Sequence, residues 1–148
     1  MGSVWTTITT AGFHQENSPD DDCPFFLSQW RKLCFVACYS SDKNLATFTG
    51  RPPLIPRRYC TVSAPLDIAE EELVAGSGAV EHAAAQLDAL GWNQSNIYRV
   101  SFLRLRFFMA LLREEVLEIV LASNDMTIEA EFESKIKYFF FSKKKKYN

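Results

Sequence analysis

The stretch Phe25-Phe-Leu-Ser-Gln-Trp30-Arg-Lys-Leu-Cys34-Phe-Val-Ala-Cys38-Tyr39-Ser-Ser-Asp42-Lys43-Asn-Leu45-Ala-Thr-Phe48-Thr49, closed by Gly50-Arg51-Pro52-Pro53, decides how the rest of the chain is read. Phe26, Trp30, Leu33, Cys34, Ala37, Cys38, Leu45 and Phe48 recur at steps of three and four residues. Arg31, Lys32, Asp42 and Lys43 fall between them. This is the pattern of an amphipathic helix of about six turns with its apolar side turned inward. Gly50 supplies the stop, since glycine reaches the left-handed conformation that ends helices, and Pro52 and Pro53 forbid continuation. Asp42, a turn short of the helix end, and Arg51, just past it, are placed to clamp the turn as an ion pair.

Towards the C-terminus, residues 51–66 hold four of the six prolines and predict a stiff, extended connector. Asp67-Ile-Ala-Glu70 reads as a capping box that opens a short helix over about 68–75. Gly76-Ser-Gly78 breaks it, and the Ala-rich stretch Ala79 to Leu90 predicts a second short helix ending at Gly91. Asn93 and Ser95 are candidate N-caps for the longest periodic run, Asn96 to Ala122. There Ile97, Val100, Leu103, Phe107, Leu111, Val116 and Leu121 lie near one stripe. Phe102, Leu105, Phe108, Met109 and Leu112 widen it, which predicts a helix packed on more than one side.

In the other direction, residues 1–24 are polar and end in Pro19, Asp20, Asp21, Asp22, Cys23 and Pro24, the pattern of a linker or disordered start. Met1 to Thr10 lacks the charged and apolar segments of a secretory signal. Arg99, Arg104, Arg106 and Arg113 interrupt the best candidate for a membrane span, so no membrane association is expected. Past Ser123 the pattern changes again, giving a divergent tail over 123–148 that ends in the basic run Lys143 to Lys146. Sixteen Lys and Arg against eighteen Asp and Glu give a net charge of −2, which argues against a surface committed wholly to phosphate. The expected fold is all-α, an irregular bundle of amphipathic helices occupying residues 25–122.

The segment Tyr39-x-x-Asp42-Lys43, then six residues, then Gly50-Arg51-Pro52-Pro53 resembles the signature of the regulatory, or middle homology, domain of fungal-specific transcription factors of the binuclear zinc cluster class, such as the xylanolytic-activator type. Arg57-Arg58-Tyr59-Cys60, Ala64-Pro65-Leu66-Asp67 and Glu70-Glu71-Glu72 follow in that family's order. The resemblance covers about residues 25–122. It implies that Tyr39, Asp42, Lys43, Gly50, Arg51, Pro52 and Pro53 are structural signature residues. It also implies a nuclear protein that regulates DNA-templated transcription, with transcriptional regulators or a full-length relative as partners. In that family DNA is read by six closely spaced cysteines holding two zinc ions, and this sequence has no such segment. DNA binding and zinc are therefore expected only from a missing N-terminal module, and the chain itself is expected to hold no cofactor. The loss of resemblance past Ser123 suggests a truncated regulatory domain, and a small effector between its helices fits the same picture.

The residues also weigh against other classes. Cys34 and Cys38 are four apart and would share one helix face, but a zinc site needs two more ligands and the chain has only His14 and His82. The four cysteines, Cys23, Cys34, Cys38 and Cys60, read as thiols. Glu70, Glu71 and Glu72 would be spread around a helix rather than paired, and Glu114, Glu115 and Glu118 read as the polar face of the long helix. No phosphate-cradling glycine loop is present, so no catalytic residue and no enzyme are expected. The arginines of the long helix, at steps of five, two and seven, predict scattered salt bridges rather than a phosphate track, and Trp30, Trp92 and Phe107 read as core. The alternative function is a truncated helical module that touches no DNA and dimerises with a full-length relative.

Overall fold

A computed structural model describes residues 2–16 and 23–122. The described residues are all-α, with five helices and no strand. They are α1 (Gly2–Thr10), α2 (Phe25–Thr49), α3 (Glu70–Val74), α4 (Ser77–Ala84) and α5 (Arg99–Ala122). The expected tail over 123–148, with Lys143 to Lys146, lies outside the described residues. Among those described, no helix is long and apolar enough to cross a membrane.

The long helices α2 and α5 form the frame. Phe35 of α2 meets Phe107 of α5, Tyr39 meets Glu114, and Asn44 meets Arg113. Phe35 and Ser40 of α2 lie against Phe107 and Arg106, whereas Lys43 and Asn44, further along α2, lie against Glu114 and Arg113, so the two helices run in the same direction. A parallel pair forces the chain to travel back along the bundle, and residues 50–98 do so. Pro52, Pro53 and Pro56 keep the first part of this return extended, with a 3-10 turn at Arg57–Tyr59, before α3 and α4 follow. The core then forms where the return crosses the helix pair: Phe35, Val36 and Tyr39 from α2, Phe107 and Ala110 from α5, and Ile55, Cys60 and Val62 from the return. A smaller cluster of Ile68, Leu73 and Ala83 holds α3 and α4 together.

Four local expectations are corrected. The described part of the expected polar linker over 1–24 is ordered: α1 carries Ile8 into the main core, with Trp5 and Phe13 packed against it. It is tied down afterwards, because Thr61 N–H donates to His14 O at 2.9 Å and Ser63 N–H donates to Glu16 Oε2 at 2.8 Å. Asp67 and Glu70 form no capping box. Ala69 N–H donates to Glu72 Oε2 at 3.4 Å instead, while Asp67 is buried and accepts from Asn93 N–H and Ser101 Oγ–H at 3.2 and 2.7 Å. The second short helix spans Ser77–Ala84 rather than Ala79 to Leu90. The last helix starts at Arg99, with Asn93 Oδ1 accepting from Ser95 and Asn96 N–H in a turn before it.

Helix α2 has the bounds read from the sequence, Phe25–Thr49, yet it is rotated from the expected face. Phe26, Trp30, Cys34, Ala37, Leu45 and Phe48 are exposed, whereas Gln29, Ser40, Asp42 and Lys43 are buried beside Phe35, Val36 and Tyr39. Trp30 is thus no core residue. Gly50 ends the helix at φ 61° and ψ 28°, and Arg51 N–H donates to Ala46 O at 3.2 Å to close the turn. A Cβ at Gly50 would meet nothing within 4 Å, so only the left-handed backbone penalises a side chain there. Gly50→Ala is expected to lower stability by about 1 kcal/mol without changing the fold, as read by urea unfolding.

Candidate functional site

The centre of the molecule is a set of buried charges that α2, the return segment and α5 supply jointly. Lys43 is 0% exposed and sits on the inward face of α2. Its ammonium lies 3.1 Å from Asp42 Oδ2 and 3.1 Å from Glu114 Oε2, and it donates to Ile55 O. It also stands over the Tyr39 ring, 4.3 Å from the centroid. One cation with two carboxylates, a carbonyl and an aromatic face replaces the water that burial removes.

Each acid holds backbone as well. Asp42 Oδ1 accepts from Leu54 N–H and Oδ2 from Ile55 N–H, both at 3.0 Å. Glu114 Oε1 accepts from Arg57 N–H at 2.7 Å, and its other oxygen accepts from Tyr39 Oη–H. The extended return has no strand partner for these amides, so the carboxylates satisfy them. Burial, followed by the Glu114 hydrogen bond, raises the Tyr39 hydroxyl pKa well above the usual phenol range. Arg57 completes the ring: its Nη1 donates to Val62 O at 3.0 Å and its guanidinium lies over Phe107, 5.7 Å from the centroid.

A second fastening lies nearer the start of α5. Arg104 is 1% exposed, donates to Pro65 O, and donates to Leu90 O at 2.6 Å. Its guanidinium covers Trp92 at 4.5 Å, and burial draws its pKa below the ordinary value against the opposing pull of Asp67 and Asp88. Gly91 is required beside it: at φ 79°, a Cβ would lie 3.0 Å from Leu66 and 3.5 Å from the guanidinium.

The residues expected as a signature therefore divide. Tyr39, Asp42 and Lys43 are brought together in the buried set, with Gly50 as the helix stop. Arg51 and Pro52 are exposed and Pro53 is half-buried. The expected Asp42–Arg51 clamp is absent, because Asp42 turns inward to Lys43 and to the amides of Leu54 and Ile55. Arg51 instead borders a shallow hollow of about 200 Å³ with Leu45, Thr49, Pro52 and Leu54. Glu114 and Arg104 were missed as core, although both lie on the stripe of Val100, Phe107, Ala110 and Leu117, and that position is the sequence signal for them. Cys34 is exposed, Cys60 is buried, and among the described residues no three His, Cys, Asp or Glu gather as a metal site.

A family model for the fungal specific transcription factor domain matches residues 2–101. No curated protein and no solved structure matches the chain. The matched range includes α1 and stops at the first turn of α5, so Glu114 lies outside it.

The buried set makes two measurable statements. Lys43→Met leaves two carboxylates buried without their cation and is expected to cost about 3–5 kcal/mol in urea unfolding. Tyr39, with its pKa raised by folding, favours the native state at neutral pH and ceases to do so as pH rises past the phenol range. Absorbance titration at alkaline pH is expected to show a tyrosine phase that ionises only with unfolding, and Tyr39→Phe is expected to remove that phase.

Proposed function

The chain belongs to the fungal-specific transcription factor domain family, and we propose that it serves as a regulatory region of a zinc-cluster transcription factor acting in the nucleus. The observation that carries this reading is the family match over residues 2–101. The buried signature set supports it, because Tyr39, Asp42 and Lys43 do structural work in holding the return segment between two long helices. The chain's role is to hold or release partners through helical surfaces. DNA reading and zinc belong to a cysteine-rich module that these 148 residues, with four scattered cysteines, do not supply. In this reading the chain has no cofactor and catalyses nothing.

Two measurements test this. Tethered to an unrelated DNA-binding module in a fungal cell, the chain is expected to change transcription of a reporter carrying that module's site, and Lys43→Met is expected to abolish the change. The untethered chain is expected to leave labelled duplex DNA unbound at physiological salt. Tight binding with a steep salt slope would overturn the assignment of DNA reading to another module.

A further inference from the structure

α5 carries two apolar faces, and among the described residues the bundle buries one of them. Val100, Phe107, Ala110 and Leu117 turn inward with Arg104 and Glu114. On the opposite side Phe102, Leu105, Met109, Leu112 and Val116 follow one another at steps of three, four, three and four residues. That is the 3.5-residue repeat of a coiled-coil seam, on a helix whose partner within the bundle lies elsewhere. Phe102 is 63% exposed, Leu105 54% and Met109 49%. Further along, Leu112 and Val116 are half-buried and share with Thr47 of α2 an apolar groove of about 250 Å³.

The arginines of α5 acquire a pattern once Arg104 is set aside as buried. Arg99, Arg106 and Arg113 are seven residues apart and form one column along the edge of the seam, at the flanking position where coiled coils select partners by charge. Arg99 and Arg106 are exposed, and Arg113 donates to Asn44 Oδ1. Among the described residues, no ion pair involves any of the three.

We propose that this face of α5 binds an amphipathic helix of another protein, with large aliphatic side chains along its seam and Glu or Asp on the flank facing Arg99, Arg106 and Arg113. Charge complementarity selects this occupant over a second copy. An antiparallel pair of α5 helices would set Arg106 against Arg113 of the other copy, and a parallel pair would set Arg106 and Arg113 against Ser101 and Phe108. The chain's own acidic helix, α3, has five residues and is too short to span the seam. A nucleic acid would meet the arginines but leave Leu105 and Met109 uncovered. The inference rests on the regulatory reading for its setting, and on α5 alone for its chemistry.

The test is fluorescence anisotropy of the full chain with a labelled three-heptad peptide carrying Leu at the seam and Glu on both flanks, beside the same peptide with Lys on the flanks. The Glu peptide is expected to bind at least about tenfold more tightly than the Lys peptide. The double variant R99E/R106E is expected to reverse that order. Leu105→Asp, at an exposed position, is expected to abolish binding with the helical circular dichroism unchanged. Equal binding of both peptides, binding of neither, or an order that R99E/R106E leaves intact would overturn the proposal. A sedimenting dimer that Leu105→Asp dissociates would assign the face to a second copy and overturn it too. So would duplex DNA held by these arginines while the peptides stay free. Regulation by the tethered chain without peptide binding would sink this inference and leave the regulatory reading standing.

Discussion

The structure depends on the burial of one ammonium group. Lys43 has no access to water, so the chain must bring it anions and carbonyls, and those it brings come from three separate segments. Asp42 is its neighbour in sequence, Ile55 belongs to the return, and Glu114 belongs to α5. A hydrophobic core of Phe35, Val36, Phe107 and Ala110 accepts several small slides of one helix along another at modest cost. The ion set does not. A one-residue slide of α5 displaces Glu114 by about 1.5 Å, enough to break a 3.1 Å contact and strip the Arg57 amide of its acceptor. The apolar contacts thus supply most of the stabilisation, and the charges fix the register.

The same logic explains why the proline-rich return stays in place. Extended backbone laid between helices has no ladder to satisfy its amides, and its prolines reduce the number needing satisfaction. Those remaining at Leu54, Ile55 and Arg57 are met by Asp42 and Glu114. Arg104 treats the return's other end in the opposite sense, donating hydrogen bonds to the Pro65 and Leu90 carbonyls. Carboxylates accept from amides near the core and a guanidinium donates to carbonyls on either side of α3 and α4, so Glu114 and Arg104 fasten both ends of the same excursion to α5.

The bounds of Phe25–Thr49 were legible in the sequence because Gly50 and Pro52 enforce the stop, whereas Gly91 does not end the Ala-rich helix and Gly78 lies inside it. The buried side of that helix was not, because periodicity counts apolar residues and this helix buries Asp42, Lys43 and Gln29 while exposing Phe48 and Trp30. Charged residues are assigned to water by default, and the default fails where several of them neutralise one another across elements distant in sequence. Glu114 was misread for that reason. The signature drew attention to Tyr39, Asp42 and Lys43, but the motif held only half of the set, since Glu114 comes from a helix that it does not include. Ile8 was missed for a simpler reason: α1 offers one deeply buried side chain in a run of Ser and Thr, too little for a pattern.

The parallel course of α2 and α5 bears on how the molecule can be divided. The range matched by the family model ends at residue 101, but the cation at residue 43 is answered at residue 114. A boundary placed where the resemblance ends would cut through the ion set and leave Lys43 and Tyr39 facing a void. The smallest piece able to close its own interior therefore extends past Glu114. Its decisive contacts join residues some seventy positions apart, so the bundle, although wholly helical, has the non-local topology that slows folding. Most of α2 must wait for the last helix before its charged side is sheltered.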